Sequence, residues 1–118
     1  MKLFQSFVHA FRGLIVAIQE ERNLQIQLLA VTVVTSAGFY FEINATEWIV
    51  VLLCFGLVIS LELINTAIEN LCDLLHPDEH PIIGKVKDIA AAAVTVAAGI
   101  SVVVATLVFG QKISGLLF

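Results

Sequence analysis

Long apolar runs alternate along the chain with short polar breaks, and the spacing inside each run decides what it forms. Between residues 3 and 20, Leu3, Phe4, Phe7, Val8, Phe11, Leu14, Ile15 and Ile18 recur at helical spacing, while Lys2, Gln5, His9, Arg12 and Gln19 fall mainly on the other side. A phenylalanine-rich face opposite a partly basic one predicts a helix that lies in a bilayer interface. Its apolar stretch at 14–18 is shorter than a signal peptide needs, and no small-residue cleavage site follows, so the helix is expected to be retained.

Three spanning candidates follow, at about 24–41, 48–70 and 88–109. The third contains "IAAAAVTVAAGISVVVATLVF", residues 89–109, without a charge. About 20 apolar residues cross a hydrocarbon core, so this run has the length and chemistry of a transmembrane helix. The first carries Gln25 and Gln27 in its opening turn and Tyr40 near its end; the second begins near Trp48. The pattern predicts an all-α membrane protein with one domain, 1–118: a surface helix and three transmembrane helices. In the third span Ala97, Ser101 and Ala105 recur every fourth residue, a spacing that lets helices approach closely in lipid.

Composition agrees. The chain is 59% hydrophobic and 14% charged, far from the quarter-charged composition of soluble domains. The six Lys and Arg are dispersed, with no basic stripe for nucleic acid. Lys2, Arg12 and Arg22 precede the first span, Lys85 and Lys87 precede the third, and "EINATE" at 42–47 has no base. The positive-inside rule then puts the N-terminus and the 74–87 segment in the cytoplasm, with 42–47 outside. Cys54 and Cys72 lie about 27 Å apart along one helical pattern, too far to bridge. Cys72 is expected to be reachable from the cytoplasm.

The candidate chemistry lies in "GLVISLELINTAIENLCDLL", residues 56–75. At 100° per residue, Glu69 lies about 20° from Glu62, Asn65 about 60° away and Asp73 about 20° on the other side. One helix face therefore carries all four, with Thr66 beside them. Glu62 follows Trp48 by about 21 Å of helical rise, and Glu69 lies about 10 Å further on. A charge at the bilayer centre costs about 2.5–3.5 kcal/mol, less towards the interface, so an intramembrane carboxylate points to function. A solvated helix end accounts for Asp73 but not for Glu62, which apolar residues flank. A carboxylate at the lipid edge is suited to take a proton from a lipid hydroxyl. Glu69, nearer water, suits Mg²⁺, which prefers oxygen ligands shared with substrate phosphates. Neither a P-loop nor a protein-kinase signature set is present.

His76 and His80, with Asp73, Asp78 and Glu79 nearby, have the composition of a zinc site. Pro77 and Pro81 break the helix that such a pair would need. Lys87 and Asp88 open the third span, where a snorkelling base and a helix N-terminal acid are equally natural.

The residues so assembled resemble the small prokaryotic diacylglycerol kinase/undecaprenol kinase family of integral-membrane lipid kinases. "ELINTAIENLCDL" at 62–74 is similar to that family's E-x-x-N-x-A-I-E-x-x-x-D signature, and "HPIIGKVKDIAAAAV" at 80–94 to its H…K-D-x-A-A-x-A-V segment. "FRGLIVAIQEERN" at 11–23 resembles its entry helix. The resemblance implies Glu62 as catalytic base, supported by Asn65. It implies that Glu21 and Glu69 hold Mg²⁺, that Lys87 and Asp88 contact ATP, and that the turn of Asp78, Glu79 and His80 touches the nucleotide. It further implies a homotrimer with sites between subunits, in the bacterial cytoplasmic membrane with the active site on the cytoplasmic side. The family often has Gly where this chain has Ala92; "EERN" and "HP" look more like the undecaprenol branch. Two other functions compete: a proton- or cation-conducting oligomer, and a non-catalytic membrane subunit. The acids cluster at one end of the spans rather than through their depth, which disfavours conduction.

Overall fold

The structure, a computed structural model, describes residues 2–117. They form α1 (Lys2–Glu20), α2 (Arg22–Tyr40), α3 (Ala45–Leu75) and α4 (Pro81–Leu117). A single extended residue, Glu21, separates α1 from α2, with φ −103° and ψ 111°. The last carbonyls of α1 would be orphaned there. Gln25 answers them: its Nε2 donates to the Ile18 carbonyl at 2.8 Å and to that of Gln19 at 3.4 Å.

Asn44 and Glu47 make the next turn. The Glu47 N–H donates to Asn44 Oδ1 at 2.9 Å and the Asn44 N–H to Glu47 Oε1 at 3.0 Å, a capping box that starts α3 at Ala45. Glu42 takes a left-handed φ of 52°, which closes the turn so that the Ile43 N–H reaches the Gly38 carbonyl at 3.1 Å. The third turn is the short segment 76–80, and Pro81 begins α4, a position where its missing N–H costs nothing.

Both long helices exceed their expected spans. The second was expected over 48–70 and the third over 88–109, yet α3 runs Ala45–Leu75 and α4 runs Pro81–Leu117. The polar residues Lys85, Lys87 and Asp88 mark where apolar composition ends, not where the helix does. The 74–87 segment is accordingly mostly helical. At 1.5 Å per residue α3 and α4 are about 46 and 56 Å long, against about 30 Å of hydrocarbon.

Among the described residues two helices, α3 and α4, are long and apolar enough to cross a membrane. Three had been expected. α2 carries Asn23, Gln25, Gln27, Thr32, Thr35 and Ser36 among its apolar residues and is not one of the two. α3 and α4 share the largest interface and are tied near both ends. Lys112 Nζ lies 3.5 Å from Glu47 Oε1, and Lys87 Nζ lies 2.5 Å from Asp73 Oδ1. The two ties stand about 38 Å apart along the helices.

The buried core is small and sits at the α2–α3 turn, where Ile43, Val51 and Phe109 meet with Phe41, Trp48 and Ala105 packed around them. Of the small-residue stripe, Ala97 is buried and Ala105 joins this cluster. Elsewhere large apolar side chains stand exposed along every helix, Phe4, Leu53 and Leu107 among them. The radius of gyration is 17.5 Å, whereas a globular chain of this length has about 13.5 Å. Cys54 and Cys72 are free thiols, and Cys72 is buried, contrary to its expected accessibility. It lies on the same side of α3 as Asn65 and Glu69.

Gly38 is where the turn tolerates no side chain. A Cβ there would stand 2.6 Å from Trp48 Cη2, 2.8 Å from Cζ2 and 3.2 Å from Ile43 Cδ1. The indole is itself packed on Phe39, with ring centroids 5.0 Å apart. Gly38→Ala is expected to destabilise the protein by about 1–3 kcal/mol, overriding the helix-propensity gain. Gly13→Ala, with no neighbour within 4 Å in the chain, should be neutral or stabilising. Unfolding of the two variants in detergent checks this, and equal effects would show that Trp48 does not constrain the turn.

Candidate active site

The acidic face of α3 is largely buried. Glu62 is 3% exposed, Asn65 7% and Thr66 8%. Glu69 is half-buried and Asp73 exposed, so accessibility rises along the face towards the helix end. Among the described residues no Lys, Arg or His pairs with Glu62. Two amides serve it instead. Gln27 Nε2, brought from α2, donates to Glu62 Oε1 at 2.8 Å. Asn65 Nδ2 lies 3.4 Å from Glu62 Oε2 and 3.4 Å from Glu69 Oε1, bridging the two carboxylates. Charge-assisted hydrogen bonds normally close to about 2.7–2.9 Å, so only the Gln27 contact is a strong one.

The amide orientations follow from charge. Turned over, either side chain would face a carboxylate with its carbonyl oxygen. Donating to the carboxylates leaves Gln27 Oε1 and Asn65 Oδ1 buried without a partner. Each such group costs about 1–3 kcal/mol. A stretch selected for stability alone would place apolar side chains here, so the cost points to chemistry.

Beside this cluster runs an apolar groove of about 230 Å³ between α2, α3 and α4, lined by Val31, Val51, Phe55, Ile59, Val102 and others, with Gln27 as its amide. Its other polar side chain, Ser101, donates to its own helix's Ala97 carbonyl at 2.8 Å. The groove thus presents hydrocarbon surface that leads to Gln27, the partner of the buried carboxylate.

A second, open cavity of about 550 Å³ lies at the α3–α4 turn. It gathers Asp78, Glu79, His80 and Lys87 of the expected nucleotide residues, together with His76. Asp88, exposed on α4, does not line it. The turn is held by its histidines: His76 Nδ1 is 2.8 Å from the Asp78 carbonyl, and the Ile82 N–H donates to His80 Nδ1 at 3.1 Å. Their rings meet edge to face at 4.9 Å. With one ring nitrogen of each so engaged, the pair serves the turn's shape. Among the described residues no three His, Cys, Asp or Glu side chains cluster for a metal ion.

The two groups of residues are linked through Lys87, whose partner Asp73 lies one turn beyond Glu69 on α3. Glu21 stands at the α1–α2 break, half-buried, and its carboxylate makes no cap hydrogen bond. Sequence reasoning missed two partners, Gln27 for Glu62 and Asp73 for Lys87. A polar side chain in the opening turn of an apolar span was a visible signal for Gln27. Asp73 was placed on the right face but read as helix-end solvation.

Comparison with known proteins identifies the family. The prokaryotic diacylglycerol kinase family profile matches residues 8–109. An undecaprenol kinase of Bacillus subtilis is 42% identical over 112 residues, covering 95% of this chain and 91% of that protein. A diacylglycerol kinase of Helicobacter pylori is 33% identical over 98% of this chain and 87% of its own length. A diacylglycerol kinase of Synechocystis is 35% identical over 86% of this chain, which spans 59% of that longer protein. The acidic face, its amide partners and the K-D segment all lie inside the matched region, and the chain belongs to the prokaryotic diacylglycerol kinase family of lipid kinases.

Proposed function

We propose that the protein transfers the γ-phosphate of ATP to the hydroxyl of a membrane lipid, with Glu62 as general base and undecaprenol the favoured acceptor over diacylglycerol. One observation carries the reading: a carboxylate 3% exposed on a membrane-grade helix, without a cation partner, beside an apolar groove. An ionisable group so placed is costly, and a lipid hydroxyl arriving along hydrocarbon is the proton donor it can serve. The 42% identity to an undecaprenol kinase, against 24–35% to diacylglycerol kinases, favours the isoprenoid alcohol.

The cavity at the α3–α4 turn is of nucleotide-binding size, and Lys87 offers it a positive charge; Asp78, Glu79 and His80 form its rim. Asp88 follows Lys87 in the chain and is included as a nucleotide contact by family resemblance alone. Glu21 and Glu69 fit Mg²⁺: both offer carboxylate oxygens, one at a helix break and one held only by a long contact. Two carboxylates suffice, because Mg²⁺ keeps water and shares substrate phosphates. When bound, the ion offsets charge on the transferring phosphoryl group. α2, about 28 Å long, serves as the third span, and α1 lies at the interface. A trimer in the cytoplasmic membrane, active site inward, covers exposed apolar faces that a lone chain leaves open to lipid.

Glu62→Gln should lower turnover by about 10²–10⁴-fold and leave Mg·ATP binding near normal, since only the transition state loses its proton acceptor. Glu69→Gln should raise the Mg²⁺ concentration for half activity. Labelled-ATP transfer to undecaprenol and to diacylglycerol, with nucleotide binding measured separately, checks both roles and names the acceptor. Normal turnover by Glu62→Gln, or loss of nucleotide binding confined to it, would refute the assignment.

Orientation is tested with single cysteines in a Cys54→Ala, Cys72→Ala background, since native Cys72 is buried. Leu75→Cys should react with an impermeant maleimide from the cytoplasmic side and Thr46→Cys from the opposite side; both positions are exposed. The reverse pattern would put the active site where ATP is absent.

Subunit sharing is tested by mixing two inactive variants, Glu69→Gln and Asp88→Asn. Partial recovery of activity is expected if they come from different subunits of one site. Full turnover by a demonstrably monomeric preparation would eliminate the trimer.

A further inference from the structure

We infer that Gln27 is a positioning residue for phosphoryl transfer: its amide N–H, carried by α2, fixes the Glu62 carboxylate in the attitude in which it meets the lipid hydroxyl. The inference rests on the reading of Glu62 as general base.

Glu62 has three rotatable side-chain bonds, and its own helix offers it only Asn65, at 3.4 Å and shared with Glu69. The short contact comes from Gln27 at 2.8 Å, across 35 residues of sequence. A proton acceptor must be held within a narrow range of positions, because misplacement by about 1 Å can cost a hundredfold in rate. With Asn65 too distant to hold it firmly, the orientation of Glu62 depends on α2.

Several features show that Gln27 is there for its donor. Packing alone does not call for glutamine: the groove beside it is lined almost wholly by aliphatic side chains, and leucine would fill the space. The amide also leaves its own carbonyl oxygen buried and unpartnered. A cation in its place would neutralise the carboxylate, whereas a neutral donor orients it and leaves its charge available to the incoming proton. The same side chain lines the groove, so the element that aims the base also lines the path proposed for the lipid.

The test uses the full-length protein in lipid nanodiscs, with steady-state kinetics for Mg·ATP and the lipid acceptor. Gln27→Leu, similar in size without a donor, should lower kcat about 10- to 100-fold while KM for Mg·ATP stays within about twofold. Gln27→His, whose ring N–H can reach the same oxygen, should recover most of the lost kcat. Should the leucine variant aggregate, Gln27→Met, equal in length and donorless, takes its place with the same expectation. A donorless variant with kcat within about twofold of wild type overturns the inference. So does a loss carried wholly by KM, or a histidine variant as slow as leucine. Glu62→Gln is measured alongside. If it retains turnover, the base reading fails and this inference with it; if it is inactive while Gln27→Leu is active, only the positioning role fails.

Discussion

A carboxylate held out of water without a counter-charge constrains everything near it. Glu62 is poorly served by its own helix, so a second helix must deliver a donor, and that donor must reach it among apolar side chains. The Gln27–Glu62 hydrogen bond meets both demands. It fixes the register of α2 against α3: a shift of one residue would turn Gln27 away by about 100° and leave the carboxylate with one weak amide. Two buried carbonyl oxygens without partners accompany this solution. The local fold accepts that cost because the alternative, an unaided buried charge, is worse.

The remaining architecture delivers these groups to one end of the molecule. α3 and α4 form a hairpin longer than the hydrocarbon is thick, tied near each end by an ion pair outside the apolar stretch. Exposed ion pairs contribute little stability. Their effect is positional, since they hold two smooth apolar helices in register where side-chain packing alone would permit sliding. One tie, Asp73–Lys87, also spans from the acidic face to the cavity at the turn. The short 76–80 segment, held by His76 and His80, returns the chain so that Lys87 faces α3.

A single chain has little interior. Its buried apolar cluster is confined to the α2–α3 turn, distant from Glu62 along α3, while apolar side chains on all four helices stay exposed. In such a chain the backbone hydrogen bonds are closed within the helices, as apolar surroundings require. At the other end the costly polar groups sit beside only isolated buried apolar residues, Leu24 and Cys72 among them.

Sequence periodicity alone determined the helices, the membrane character and the acidic face, because each depends on residues within a few turns of one another. Glu62, Asn65 and Glu69 fall together at spacings of three and four residues whatever surrounds them, and 89–109 is apolar in any environment. Helix ends were less legible: composition marked where the apolar run stops, while the Asn44–Glu47 capping box and Pro81 set where α3 and α4 begin. Hydrogen-bond partners across helices were decided only by tertiary structure. Gln27 and Gln25 lie two residues apart on one helix, yet one holds a buried carboxylate and the other caps α1. Nothing in their local sequence separates them. The difference is the 200° of rotation between them, which turns one towards α3 and the other back to α1.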